Sequence, residues 1–158
     1  MDKMISDLRK LVRIRSICEK TDSLAYPFGE SVHRAVETAL EICSEYGFHV
    51  KNNHNMTAYA EVGEGDELMG ILVHLDVVPA GDGWNYDPFD LTVTEDKLYG
   101  RGVTDDKGPA VAVIHALKEL MDEGAVFNKR VRMIFGMAEE TGEWEDMAYY
   151  RKDCLLYT

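Results

Sequence analysis

Cysteine is sparse in this 158-residue chain and badly placed for bridging: Cys18, Cys43 and Cys154 are odd in number and far apart. They form no Cys-x-x-Cys pair, which argues against a disulfide framework and a thiolate zinc knuckle and suits a reducing cytoplasm. Long apolar runs are missing as well. No stretch of about 18 apolar residues occurs, so no segment has the length of a spanning helix. The first twenty residues intersperse Lys3, Arg9, Lys10, Arg13 and Arg15 with apolar positions and contain no secretory core. Positive charge is in short supply, with 17 Lys and Arg against 29 Asp and Glu, a formal net charge of -12. That balance argues against a nucleic-acid partner, which needs a basic footprint, and against adhesion to anionic membranes. Only four prolines occur, and no linker, internal repeat or low-complexity tract divides the chain.

What is present suits a single folded domain: 46% hydrophobic and 29% charged residues lie in the range of soluble globular proteins. Helical periodicity marks residues 2–16 through Ile5, Leu8, Leu11 and Val12, and 29–46 through Val32, Ala35, Val36, Ala39, Leu40 and Cys43. Thr57–Val62 reads as a short alternating strand and Leu68–Leu75 as a buried one, around the turn Gly63-Glu64-Gly65-Asp66, giving a strand–turn–strand unit. Residues 79–88 form a loop holding Trp84 and Tyr86, which line a substrate mouth or simply pack the loop. A short strand pair at 91–94 and 97–99 follows. Thr104 is the expected N-cap of a helix reaching Glu123, Arg130–Ala138 a strand, and Glu143–Lys152 a helix. This order predicts an α/β layered domain.

Three short clusters carry the chemistry. His74 and Asp76 lie two apart at a strand end, so both side chains face one way. An imidazole there can bind metal while the carboxylate orients it; the plainer alternative is a strand-end histidine bonded to a neighbour. Asp105 and Asp106 open a helix, where backbone N–H groups favour negative charge. An acidic first turn alone would look the same, but Gly100-Arg101-Gly102 before it and Lys107-Gly108-Pro109 after it are unusual. Gly108 in particular is a poor helix-interior residue unless something packs closely against it. Glu139-Glu140 follows a strand; adjacent glutamates often just start a helix, yet one can bind metal while the other takes a proton. Oxygen and nitrogen donors without thiolates fit catalytic zinc, with cobalt or manganese as substitutes. His33, His49, His54 and His115 lack companions at ligand spacing, and Gly100-Arg101-Gly102-Val103 lacks the third glycine of a dinucleotide fingerprint.

Taken together, His74-Leu-Asp76-Val-Val-Pro79, Gly81-Asp-Gly83-Trp84, Leu98-Tyr-Gly-Arg-Gly102, Asp105-Asp-Lys-Gly108 and Glu139-Glu-Thr-Gly142 resemble a known family. It is the zinc metallopeptidase family of aminoacylase, succinyl-diaminopimelate desuccinylase, carnosinase and bacterial Xaa-His dipeptidases, and its bacterial dipeptidase branch is most similar. The resemblance implies a layered α/β/α zinc-exopeptidase-like catalytic domain with a central mixed sheet, holding two zinc ions per complete site. It implies His74 on one zinc with Asp76 supporting it, Asp105 bridging both, Glu140 on the other, and Glu139 as general base. The peptide bond between Asp105 and Asp106 would be cis. The implied reaction is hydrolysis of dipeptides by a metal-bridged water; an N-acyl amino acid deacylase or desuccinylase is the alternative within the family. Family enzymes also use a later Asp ligand, a distant His ligand and an inserted lid domain, so residues 1–158 are expected to be an N-terminal portion of the catalytic domain. Alone, such a portion should bind metal weakly and turn over negligibly. It should also expose an apolar edge that self-association would cover, and a non-catalytic, oligomerising fragment is the reading from outside enzymology.

Overall fold

A computed structural model describes residues 2–153; Cys154 lies outside them. The elements are α1 (Asp2–Val12), α2 (Glu30–Glu45), β1 (His49–Asn53), β2 (Thr57–Val62), β3 (Leu68–His74), β4 (Thr92–Val93), β5 (Leu98–Tyr99), α3 (Lys107–Asp122), β6 (Arg130–Gly136), a 3-10 turn (Glu139–Thr141) and α4 (Glu145–Asp153). Four strands form a mixed sheet in the order β1-β2-β6-β3, and β4 and β5 form a separate two-stranded ribbon. β1 and β2 pair antiparallel, as do β2 and β6, whereas β3 runs parallel to β6.

Alternation along β2 and β6 builds two faces. Ala58, Ala60, Val62, Val131, Met133 and Phe135 turn into the main core with α1, α2 and α3. Tyr59 and Ile134 turn the other way and pack against Tyr150 and Met147 of α4. On that second face Arg132 donates to Glu61 at 2.6 Å and to the Tyr150 hydroxyl at 3.2 Å, and lies 3.9 Å from the centre of the Tyr59 ring. The result is a three-layer α/β/α arrangement around a mixed sheet. Among the described residues no helix is long and apolar enough to cross a membrane.

Four expectations change. β2 and β3 are not hydrogen-bonded neighbours, because β6 lies between them. The Gly63–Asp66 turn does not reverse the chain on itself; it carries it across the start of β6, where the Arg130 side chain donates to Gly65 O and its amide to Glu67 O. β3 is therefore an edge strand rather than a buried one, with Met69 and Leu72 exposed at 48% and 50%. Thr104 caps no helix: residues 101–106 are turned backbone, and α3 begins at Lys107 with Asp106 before it. Gly108 explains that delay, since its amide bonds to Gly102 O and a Cβ on it would collide with the Val103 carbonyl oxygen. The first helix also stops at Val12 rather than continuing to residue 16.

Candidate metal centre

The ends of β3 and β6 and the start of α3 meet at one edge of the sheet, which is where open α/β folds place their ligands. His74 ends β3 and is buried; its register partner Gly136 ends β6. A Cβ on Gly136 would lie 3.2 Å from the His74 Cβ, so glycine leaves room for the imidazole. The Nδ1 side of that ring faces the main-chain oxygen of Asp76 at 3.1 Å and its carboxylate at 3.4 Å. In the neutral ring Nδ1–H then donates there, and Nε2 keeps its lone pair for a cation. Nε2 lies 2.9 Å from the Asp105 carboxylate and 3.7 Å from that of Glu139.

One ligand atom each from His74, Asp105 and Glu140 lies within 4.8 Å of the other two. An imidazole nitrogen and two carboxylate oxygens at that spacing fit a divalent cation of the zinc type. The Asp105 side chain is 74% exposed, open to solvent and to a ligand. The Asp105–Asp106 peptide bond is cis, as the resemblance implied.

The fully buried Asp76 carboxylate does more than face the imidazole. Its two oxygens accept the backbone N–H groups of Glu139 at 3.2 Å and Glu140 at 3.0 Å, so one side chain fixes the segment that carries both glutamates. Two further carboxylates help: Asp106, which sequence reasoning placed in its cluster without a role of its own, and Asp146, which it missed. Asp106 accepts the His74 backbone N–H at 3.1 Å, and Asp146 accepts that of Met137 at 2.6 Å just ahead of the glutamate turn. The Asp106 partner lies 32 residues away and no local pattern announces it; Asp146 looks from sequence like an ordinary acidic first helical turn. His115, which lacked companions in the sequence, has them in space: it lies 3.0 Å from the buried Asp7 carboxylate and stacks edge-on against Tyr46. That cluster joins α1, α2 and α3 away from the metal donors.

Electrostatics follow from this crowding. Burial pulls the His74 imidazolium down, but hydrogen bonds to Asp76 and Asp105 and the charges of Asp76 and Glu139 outweigh it and raise its pKa to about 9. Burial raises the Glu140 carboxyl; the cationic His74 opposes this, while Asp105, Asp76 and Glu139 add to it. Burial likewise raises Asp106. A cation placed among these acids is favoured, and without a metal His74 holds a proton in that position. Trp84 packs its own loop, its Nε1–H donating to Ala80 O at 2.9 Å with Arg101 5.4 Å from its ring centre.

An imidazole and two carboxylates gathered at the ends of sheet strands and the start of a helix, with a further glutamate alongside, form a donor set that could hold a metal ion. Residues 70–153 match the profile of Peptidase family M20/M25/M40, and the chain belongs to that family of metallopeptidases. It is 40% identical over 152 residues to a Bacillus subtilis (strain 168) protein named "Putative dipeptidase YtjP", covering 96% of this chain and 33% of that one. Among solved structures, human carnosine dipeptidase 1 superposes with a TM-score of 0.81 at 28% identity, over 96% of this chain and 35% of that one. An M20 family metallo-carboxypeptidase from Sulfolobus solfataricus superposes at 0.78 with 26% identity, over 97% and 35%. The chain thus spans about a third of the length of the relatives it matches.

Proposed function

We propose that these residues form the part of a dipeptidase catalytic domain that holds zinc and supplies the general base. The observation that carries this reading is the Glu139 carboxylate 3.7 Å from His74 Nε2, beside three donors gathered within 4.8 Å. His74, Asp105 and Glu140 would hold the metal. Bound there, zinc would act as a Lewis acid and lower the pKa of a water towards neutrality; cobalt or manganese would substitute. Glu139 is the group left over once these donors are assigned. It takes a proton from the attacking water and returns it to the leaving amine. Asp76 holds Glu139 and Glu140 by their amides, so base and ligand keep a fixed separation. The substrate is a small peptide. The free thiols of Cys18 and Cys43 agree with a reducing cytoplasm as its setting.

The test compares free dipeptides with N-acylated amino acids in a preparation active with zinc, alongside metal analysis. Dipeptides should be preferred; preference for N-acylated substrates would replace this reading with the deacylase alternative. Glu139→Ala should abolish turnover with metal retained, while His74→Ala or Asp105→Ala should lose metal. Turnover surviving in Glu139→Ala would overturn the assignment of the base.

A further inference from the structure

Lys107 is a lysine sealed in the fold, 0% exposed, and among the described residues no carboxylate lies at bonding distance from it. Its Nζ donates to Leu11 O at 3.0 Å and Ile14 O at 2.7 Å, main-chain carbonyls where α1 ends and the chain runs on. Each of these carbonyls also accepts a backbone N–H, Leu11 O that of Ile14 at 3.0 Å and Ile14 O that of Ser16 at 2.9 Å, so the ammonium joins a turn that is already bonded. The stem of Lys107 runs along Gly102, where an added Cβ would meet Lys107 Cδ at 3.0 Å and Val77 Cγ1 at 3.1 Å. Two residues beyond Ile14, Ser16 makes a second attachment. Its hydroxyl donates to Leu75 O at 2.6 Å, and its own carbonyl accepts the Val77 N–H at 2.9 Å. These two bonds bracket Asp76.

Resting on the proposed metal function, we infer that residues 11–16 act as a strap setting the spacing of all three donor segments, with Lys107 and Ser16 as positioning residues. Through Lys107 the strap holds the turn carrying Asp105. Through Ser16 it holds the segment just after His74. Through Asp76, gripped between Leu75 and Val77, it reaches the amides of Glu139 and Glu140. Neither Lys107 nor Ser16 touches a donor atom; both grip main-chain oxygens. Side chains that orient metal ligands from behind typically change affinity by about 10–100-fold when removed.

The experiment uses Lys107→Met, which keeps the length of the side chain without its donors, and Ser16→Ala, which removes one hydroxyl. Val36→Ala in α2 serves as a control that loses core packing away from the donors. In the metal-free chain, amide hydrogen exchange at Glu139 and Glu140 should quicken by about tenfold or more in both strap variants, with Ala58 and Ala60 in β2 unchanged. Cobalt titration should then show weaker binding and an altered visible band in the strap variants, but neither change in Val36→Ala. Should Lys107→Met fail to fold, Ser16→Ala decides alone. Exchange at Glu139 and Glu140 as slow as in the parent would overturn the strap, as would a slowdown lost equally in Val36→Ala. A parent chain that takes up no cobalt would mean that the proposed site needs further ligands before it holds metal, and the exchange result would still judge the strap.

Discussion

His74 gives the sharpest quantitative prediction, because a metal ion held as proposed would have to displace its proton. The imidazole is burdened by burial but surrounded by Asp76, Asp105 and Glu139, and its pKa in the metal-free chain is raised to about 9. At about pH 7 only ~1% of molecules then carry the neutral ring, so apparent zinc or cobalt affinity falls about 100-fold below its intrinsic value, ~2.7 kcal/mol. Affinity should climb roughly tenfold per pH unit from about pH 6.5 and level off above about 9. Titration calorimetry in buffers of different ionisation enthalpy measures the protons released directly. About one proton per ion should leave His74 near pH 7, and almost none near pH 10. The raised Glu140 carboxyl adds a second release only on the acid side. Affinity flat between about pH 7 and 8.5, with no proton released, would refute the cationic His74 and the reasoning from its neighbours.

Four other outcomes follow from the geometry. Thermal melts of the metal-free chain should expose two opposed titrations. His74, raised to about 9, stabilises fully below about pH 6.5 and loses that contribution as pH rises through 9; Lys107, pulled down by burial to about 7, penalises the fold less as pH climbs from there to its ordinary 10.5. His74→Gln should therefore leave a Tm that rises over about pH 7–10, and a Tm that fell there would contradict the Lys107 environment. Asp76→Ala leaves the Glu139 and Glu140 amides without their acceptor and should cost about 2–4 kcal/mol in chemical denaturation, against less than about 1 for Asp96→Ala on the ribbon turn. Gly108→Ala should lower stability by about 2 kcal/mol or more, since the Val103 carbonyl must move; a neutral effect would contradict the close approach. Association through the open β3 edge should depend on concentration in sedimentation and disappear in Leu72→Lys, and a parent chain monomeric throughout would dismiss that edge as an interface.

The local parts of this fold were legible because their residues carry their own pattern. The stripe from Val32 to Cys43 is α2, and the odd glycine at 108 announced a close contact that the Val103 carbonyl supplies. The clusters at His74, Asp105-Asp106 and Glu139-Glu140 were recognisable by type and by position at element ends; the family resemblance implied His74, Asp105 and Glu140 as the donors, and the fold brings those three together. What stayed hidden depends on distant partners. β1 reads His-Val-Lys-Asn-Asn, an edge strand with too little apolar alternation to declare itself. The pairing of His115 with Asp7 spans 108 residues, and that of Lys107 with Leu11 spans 96. Nothing near Lys107 in the sequence distinguishes a solvated lysine from one sealed inside the domain.

The position of β6 between β2 and β3 also governs when the metal centre can exist during synthesis. β3 emerges carrying His74, but among the described residues the strand it pairs with, β6, begins at Arg130. Until then the nascent chain has no sheet to present that histidine, and neither Glu139 nor Glu140 has been made. Closing the gap means bringing together strands some sixty residues apart, the kind of non-local pairing that slows folding. A ribosome-bound chain arrested before Gly136 should therefore leave the apolar residues of β3 open to chaperones while His74 stands without the two glutamates, so any site built from these residues is completed only once β6 has paired with β3.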